Sequence, residues 1–295
     1  MPAPVPPGYT RGPLLFLGPA TDVDAEQQLL QHFWNAAGGY GGRLLLVAVA
    51  AEQALVNHYS HLLTTMEAAT ITQLTIDQRA AARQPAHEAA VANATGILLL
   101  GQSALKLAGL IGGTPLAQAI RRANATGKTL CGIGRTAAIL CQHMVAFETR
   151  DQRPHPFLHR HLIQFAPGLG LVNRLVLDVE ANPSVDIHTG IARLLTAVAY
   201  NPFLVGVSLE ANTGIALYSD TTLEVFGVNN VIIIDGGQVE TTDVHEEEAE
   251  RPVTIVGAQL HALTHGYTFN FDQHIVQPPP SSDIPTGGGP DGVTF

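Results

Sequence analysis

Residues 129–142, TLCGIGRTAAILCQ, run a short apolar strand (Thr129–Ile133) into a tight glycine turn and then into a stretch of small helix-forming residues. This is the layout of a nucleophile elbow, G-x-S-x-G, in which a strained strand-to-helix turn lifts a serine hydroxyl clear of the sheet. Here the turn reads Gly132, Ile133, Gly134, Arg135, Thr136. The position of the nucleophile is Gly134, which has no side chain with which to attack. Thr136 has a hydroxyl two positions past the tip, where the first helical turn would use it to cap its own backbone. Arg135 puts a cation at a helix N-terminus, against the helix dipole. It suits either a bound carboxylate or an ion pair within the site.

Other chemistry-bearing groups point to less. His155, His159 and His161 cluster, and the last two share one side of an extended segment. A metal needs further ligands in defined geometry, and the sequence supplies none nearby, so these read as surface histidines with no metal and no cofactor. Cys131 and Cys141 have no zinc spacing and read as reduced core residues, one in a strand and one on the following helix. Glu246, Glu247, Glu248 and Glu250 form an acidic run read as a solvated loop, with contact to a basic partner as the alternative.

The elements that would position the turn are marked by periodicity. Leu14–Gly18, Arg43–Ala50, Ile71–Ile76, Gly96–Gly101 and Thr129–Ile133 are apolar runs of strand length. Between them, Ala25–Ala37, Ala51–Ala68, Ala80–Ala94, Ser103–Leu110 and Pro115–Thr126 have helical spacing. Runs such as RLLLVAVA fit strands buried on both faces. The alternation predicts an α/β fold, a doubly wound, mostly parallel sheet. Ligands in such sheets bind at the carboxyl ends of the strands, so the turn at Gly134, the Gly101 loop and the Gly18 loop are expected to share one crevice. The second half predicts a strand at Arg174–Val179 and a helix at Thr189–Tyr200. Antiparallel strands at Phe203–Leu209, Gly214–Tyr218, Thr222–Phe226, Val228–Ile234 and Val253–Leu263 are then expected to extend the same sheet.

The chain of 295 residues is 46% hydrophobic and 14% charged, as suits one large core, and its formal charge of −10 argues against a nucleic-acid partner. The opening MPAPVPPGYTRGP has no apolar signal region and no stretch is long enough to span a membrane, which reads as a cytoplasmic protein without a membrane partner. The expected organisation is an N-terminal arm at 1–12, a single domain at 13–276 and a Pro/Gly-rich tail at 277–295.

The segments LIGGTPLAQAI (110–120), GIGRTAAIL (132–140), APGLGLVNRLVLD (166–178), ARLLTAVAYNPFLVGVSLEANTGIAL (192–217), VNNVIIIDG (228–236) and LHALTHGYTFNF (260–271) resemble, in order and spacing, cyanophycinase and its relatives, the peptidase E-like serine peptidases. The resemblance implies a class I glutamine amidotransferase-like fold, usually dimeric, and hydrolysis of β-Asp-Arg dipeptides from cyanophycin. It also implies a serine nucleophile on the turn, a histidine base after a later strand, and an acidic partner.

Carried over residue by residue, the nucleophile falls on Gly134 and the base on Glu180, while Asp178 matches the aspartate of the base motif and Glu210 matches the acidic partner. The substrate loop becomes Gly101, Gln102, Ser103 and Ala104, and Arg193 is the one arginine of the base segment that remains. His188 lies near the base position after an insertion. The implied site therefore comprises the degenerate positions Gly134, Glu180 and Glu210, with Arg135, Thr136, Gln102, Ser103, Asp178 and Arg193 as binding candidates. The expected function is a catalytically degenerate, non-hydrolytic relative that binds a cyanophycin-like peptide, or serves as partner subunit in a homodimer or a heterodimer with an active relative. One alternative is an enzyme with altered chemistry built on Glu180, Glu210 and Arg135. The other is a structural scaffold of an assembly.

Overall fold

The apolar runs of the first half fold as buried parallel strands. A computed structural model describes residues 2–148, 158–179, 187–246 and 252–280. It begins β1 (Leu14–Leu17), α1 (Val23–Ala36), β2 (Arg43–Val49), α2 (Gln53–Thr65), β3 (Thr70–Ile76), α3 (Pro85–Asn93) and β4 (Gly96–Leu99). There follow α4 (Ala104–Ile111), α5 (Pro115–Ala125) and β5 (Thr129–Ile133). The five strands pair in parallel, in the order β1, β5, β4, β2, β3. Local chemistry sets the helix starts. Asp22 accepts from the Ala25 amide at the head of α1, and Thr114 caps α5 just before Pro115, whose missing N–H is harmless at a first helical position.

Alternation along the strands gives the sheet two cores. Leu15, Leu17, Leu44, Leu46, Leu98 and Cys131 face α1 and α2. Leu14, Phe16, Leu45, Val47, Ile97 and Leu130 face α4, α5 and a second sheet.

The second half is β6 (His143–Glu148), β7 (Ile163–Pro167), β8 (Leu175–Val179), α6 (Ile187–Tyr200), β9 (Val205–Leu209), β10 (Thr213–Leu217), β11 (Thr222–Gly227) and β12 (Val231–Asp235). It ends with β13 (Thr241–Thr242), β14 (Ile255–Val256), β15 (Gln259–Leu263), β16 (Thr268–Asn270) and β17 (Ile275–Gln277). β10, β11, β16 and β17 continue the central sheet antiparallel beyond β1, to nine strands. β9 and β12 do not join it. They form a separate four-stranded sheet, β15-β12-β9-β8, in which β9 runs parallel to β8. The expectation of one extended antiparallel sheet is corrected here: β8, α6 and β9 are a strand–helix–strand crossover, and such a crossover joins parallel neighbours.

Other departures have local causes. The helix expected over Ala80–Ala94 splits into a 3-10 turn at Ala81–Arg83 and α3, because Pro85 drives Gln84 to ψ 131°. The helix expected after the glycine turn is instead a 3-10 segment, Gly134–Leu140, so Cys141 sits beyond it and bridges Val172. The strand expected over Val253–Leu263 breaks into β14 and β15 at Gly257, whose φ is +88° and where a Cβ would lie 2.1 Å from the Gln238 carbonyl oxygen. The β6–β7 hairpin, β16 and β17 carry no apolar alternation strong enough to announce them.

Asp178 on β8 and Arg193 on α6 are both buried, with Arg193 Nη2 and Nε donating to Asp178 Oδ2 at 2.8 and 3.1 Å. This pair pins α6 to the second sheet in an otherwise apolar layer that includes Val176, Leu194, Ala197, Val198 and Ile232. Breaking it from one side leaves a buried charge. Arg193→Met should therefore lose about 3–5 kcal/mol in urea unfolding. The double variant Asp178→Leu with Arg193→Met should recover most of that loss, and a single variant within about 1 kcal/mol of the parent would refute the role.

Candidate active site

The carboxyl ends of β1, β2, β4 and β5 meet where glycines let backbones touch. A Cβ on Gly132, at the end of β5, would lie 2.5 Å from Ala137 Cα, so the segment after the turn folds directly over the strand. A Cβ on Gly101, beyond β4, would lie 2.9 Å from Glu52 Oε2 and 3.1 Å from Thr136 Oγ1. Gly18, after β1, comes within 2.5 Å of the Glu210 carbonyl by the same measure. The Gly134 turn, the Gly101 loop and the Gly18–Glu210 contact thus converge at these strand ends.

Gly134 stands at the tip with φ +56°, left-handed backbone, and no atom lies within 4 Å of where its Cβ would be. The turn has the left-handed tip of an elbow, with glycine at the position where an elbow displays its nucleophile. Thr136 is fully buried, and its hydroxyl donates to the Gly101 carbonyl rather than capping its own backbone. The expectation of a self-capping threonine is corrected: the side chain ties the turn to the neighbouring strand's loop. Ser103 accepts from the Lys106 amide as the N-cap of α4, so its oxygen has a structural partner. The Gln102 amide donates to Glu52 Oε1 at 3.1 Å. Arg135 is exposed, and Glu210 is half-buried after β9. Asp178 and Arg193 face each other under α6, in the buried pair described above. Glu180, His155, Glu247, Glu248, Glu250, the segment 182–186, the side chain of His188 and the tail from 281 lie outside the described residues.

Glu52 is the site residue that the sequence reading missed. It stands just past β2, its Oε1 holds the Gly101 loop, and its Oε2 is buried without a hydrogen-bond partner. An acidic residue at the carboxyl end of a buried parallel strand was the available signal. Neither cysteine is placed as a nucleophile: both are fully buried, and burial pushes both thiols well above their ordinary pKa. Among the described residues no three His, Cys, Asp or Glu side chains gather as a metal site, and no helix is long and apolar enough to cross a membrane.

A mostly parallel sheet covered by helices, extended by antiparallel strands and carrying a glycine-tipped turn at its carboxyl edge, defines a doubly wound α/β protein. No protein-family model matches the chain. It is 28% identical over 269 residues to the cyanophycinase of Geminocystis herdmanii, covering 90% of this chain and 96% of that one. It is 26% identical over 275 residues to the cyanophycinase of a Nostoc species, covering 92% and 90%. The crystal structure of a peptidase from an acI-B1 Actinobacterium superposes with a TM-score of 0.64 at 19% identity, over 89% of this chain and 98% of that one. Over about nine-tenths of its length the chain is thus similar in sequence to cyanophycinases, and in fold to a peptidase.

The Thr136 tether is testable without touching the tip. Thr136→Val keeps the shape and leaves the Gly101 carbonyl unpaired, which should cost about 1–3 kcal/mol in chemical denaturation. A cost near zero would show that the hydroxyl does not hold the turn to the Gly101 loop.

Proposed function

We propose that this protein is a catalytically degenerate cyanophycinase-like chain that binds a cyanophycin-like, β-Asp-Arg peptide in the crevice without cleaving it. It acts alone as a homodimer or as partner subunit to an active relative. The observation that carries the reading is Gly134 at the elbow tip, with open space above it and no side chain to fill that space. The sequence adds Glu180 where the family's base histidine is expected. A serine hydrolase that loses its nucleophile loses about 10⁶ in kcat, so a scaffold kept in this form is better explained by binding than by slow turnover.

The test is incubation of the purified chain with cyanophycin and with β-Asp-Arg, reading released dipeptide and bound ligand together. Binding without release is expected. Release that is abolished by crevice substitutions would overturn the reading. Installing Gly134→Ser with Glu180→His should raise release above the parent's baseline where either change alone does not, because nucleophile and base act as a unit.

A second reading, altered acid–base chemistry in the same crevice, is favoured by one observation: the unpartnered Glu52 Oε2 beside the Gly101 loop. Glu52 extends the carboxylate set of Glu180 and Glu210 on which that chemistry would draw. If it holds, Glu52→Gln should abolish whatever turnover a substrate screen detects while leaving thermal stability within about 1 kcal/mol. If Glu52 is structural, the same variant shifts stability and leaves turnover unchanged.

A further inference from the structure

At the opposite end of the central sheet lies a cavity of about 140 Å³ whose walls include Pro2, Arg11, Asn173, Arg174, Tyr218 and Ser219. Arg11 immediately precedes β1, Arg174 precedes β8, and Ser219 lies in the turn between β10 and β11, so the amino ends of the parallel strands frame it. Arg11 is half-buried, yet both of its printed bonds go to neutral acceptors: Nη2 to the Ala3 carbonyl at 2.6 Å and Nη1 to Asn124 Oδ1 at 3.2 Å. Among the described residues no carboxylate pairs with it. Burial pulls its pKa below the ordinary arginine value, with no negative neighbour to offset the effect. Arg174 has one carboxylate, Asp272, at 2.5 Å from Nη1, and its Nη2 donates to the Phe271 carbonyl. Its Nε–H is buried and unpaired.

Arg11 is the guanidinium of the cavity wall for which no carboxylate partner is seen among the described residues, whereas Arg174 holds Asp272 and the Tyr218 hydroxyl donates to Glu224 Oε2 at 2.8 Å. A partly buried cation without a counter-charge is unfavourable, and guanidinium donors match the geometry of carboxylate and phosphate oxygens. At ~30 Å³ for a water molecule, the cavity has room for a small ion and some of its hydration.

We propose that this cavity is a binding site for a small oxyanion, a phosphate or a small-molecule carboxylate, held by Arg11 and Arg174 with the Ser219 hydroxyl as a further donor. The site is separate from the crevice and does not depend on the proposed function.

The test is an NMR titration of the full chain with inorganic phosphate and, separately, with acetate at constant ionic strength, following the arginine Nε–H signals. Saturable shifts with either anion are expected, and which anion gives them identifies the class of ligand. Arg11→Gln should weaken binding about tenfold or more, as loss of a charge-assisted bond implies. Ser219→Asp, at an exposed position, supplies an internal carboxylate and should abolish the shifts while leaving the fold intact, so it decides the matter even if Arg11→Gln fails to fold. The absence of a saturable shift with both anions, or a Ser219→Asp variant that binds as tightly as the parent, would overturn the proposal.

Discussion

The candidate site depends on one constraint: chain segments from four strand ends crowd together at three glycines, two of which face backbone that leaves no room for a side chain. Gly132 admits Ala137, Gly101 admits Glu52 and Thr136, and Gly18 admits the Glu210 carbonyl. A single methyl at any of the three would meet an atom within about 3 Å, and at Gly132 and Gly18 that atom is backbone, which cannot step aside as a flexible side chain can. The 3-10 form of Gly134–Leu140 follows from this contact, since a segment pressed onto its own strand needs the tighter turn. The position of Thr136 follows as well, because only a turn folded this closely brings its hydroxyl to the Gly101 carbonyl.

Gly134 is different from these three. Nothing crowds its missing side chain, so sterics do not demand glycine there; the backbone does, through its φ of +56°. An elbow that displays a serine in left-handed geometry stores strain of about 1–3 kcal/mol, which the surrounding structure must sustain for the sake of reactivity. Glycine at the tip releases that strain. The shape of the turn is held by Gly132, Gly101 and Thr136 rather than by the tip.

Much of this was legible in the sequence, and the limits are physical. β5 has the bounds Thr129–Ile133 that its apolar run marks, and β2 differs from its predicted span by a single residue. Such strands are buried on both faces and so are written in continuous hydrophobic residues. The split before Pro85 was readable from proline chemistry, and the parallel pairing of β8 with β9 from the helix between them. What could not be read is what depends on distant segments meeting. Glu52 becomes a site residue only because it reaches an amide 50 positions away. Arg11 becomes part of a cavity only because the arm folds against Asn124, 113 positions on. Asp178 and Arg193 were legible as charged residues, but their burial against each other under α6 depends on how the second sheet is covered.

The buried cations show how the two sheets are held in register. Apolar packing between layers is non-directional and tolerates sliding, whereas a guanidinium fixed by several acceptors accepts one arrangement. Arg193 locks α6 onto β8. Arg174, at the head of β8, reaches Asp272 and the Phe271 carbonyl between β16 and β17 of the central sheet, and so ties one sheet to the other. Near it, His274 meets the fully buried Asp235 of β12 through Nδ1 at 2.8 Å, and Gly237 leaves room for the ring. A second link between the sheets thus runs beside the first. These contacts lie away from the elbow, so the chemistry at its tip can change without loosening the way the sheets are joined.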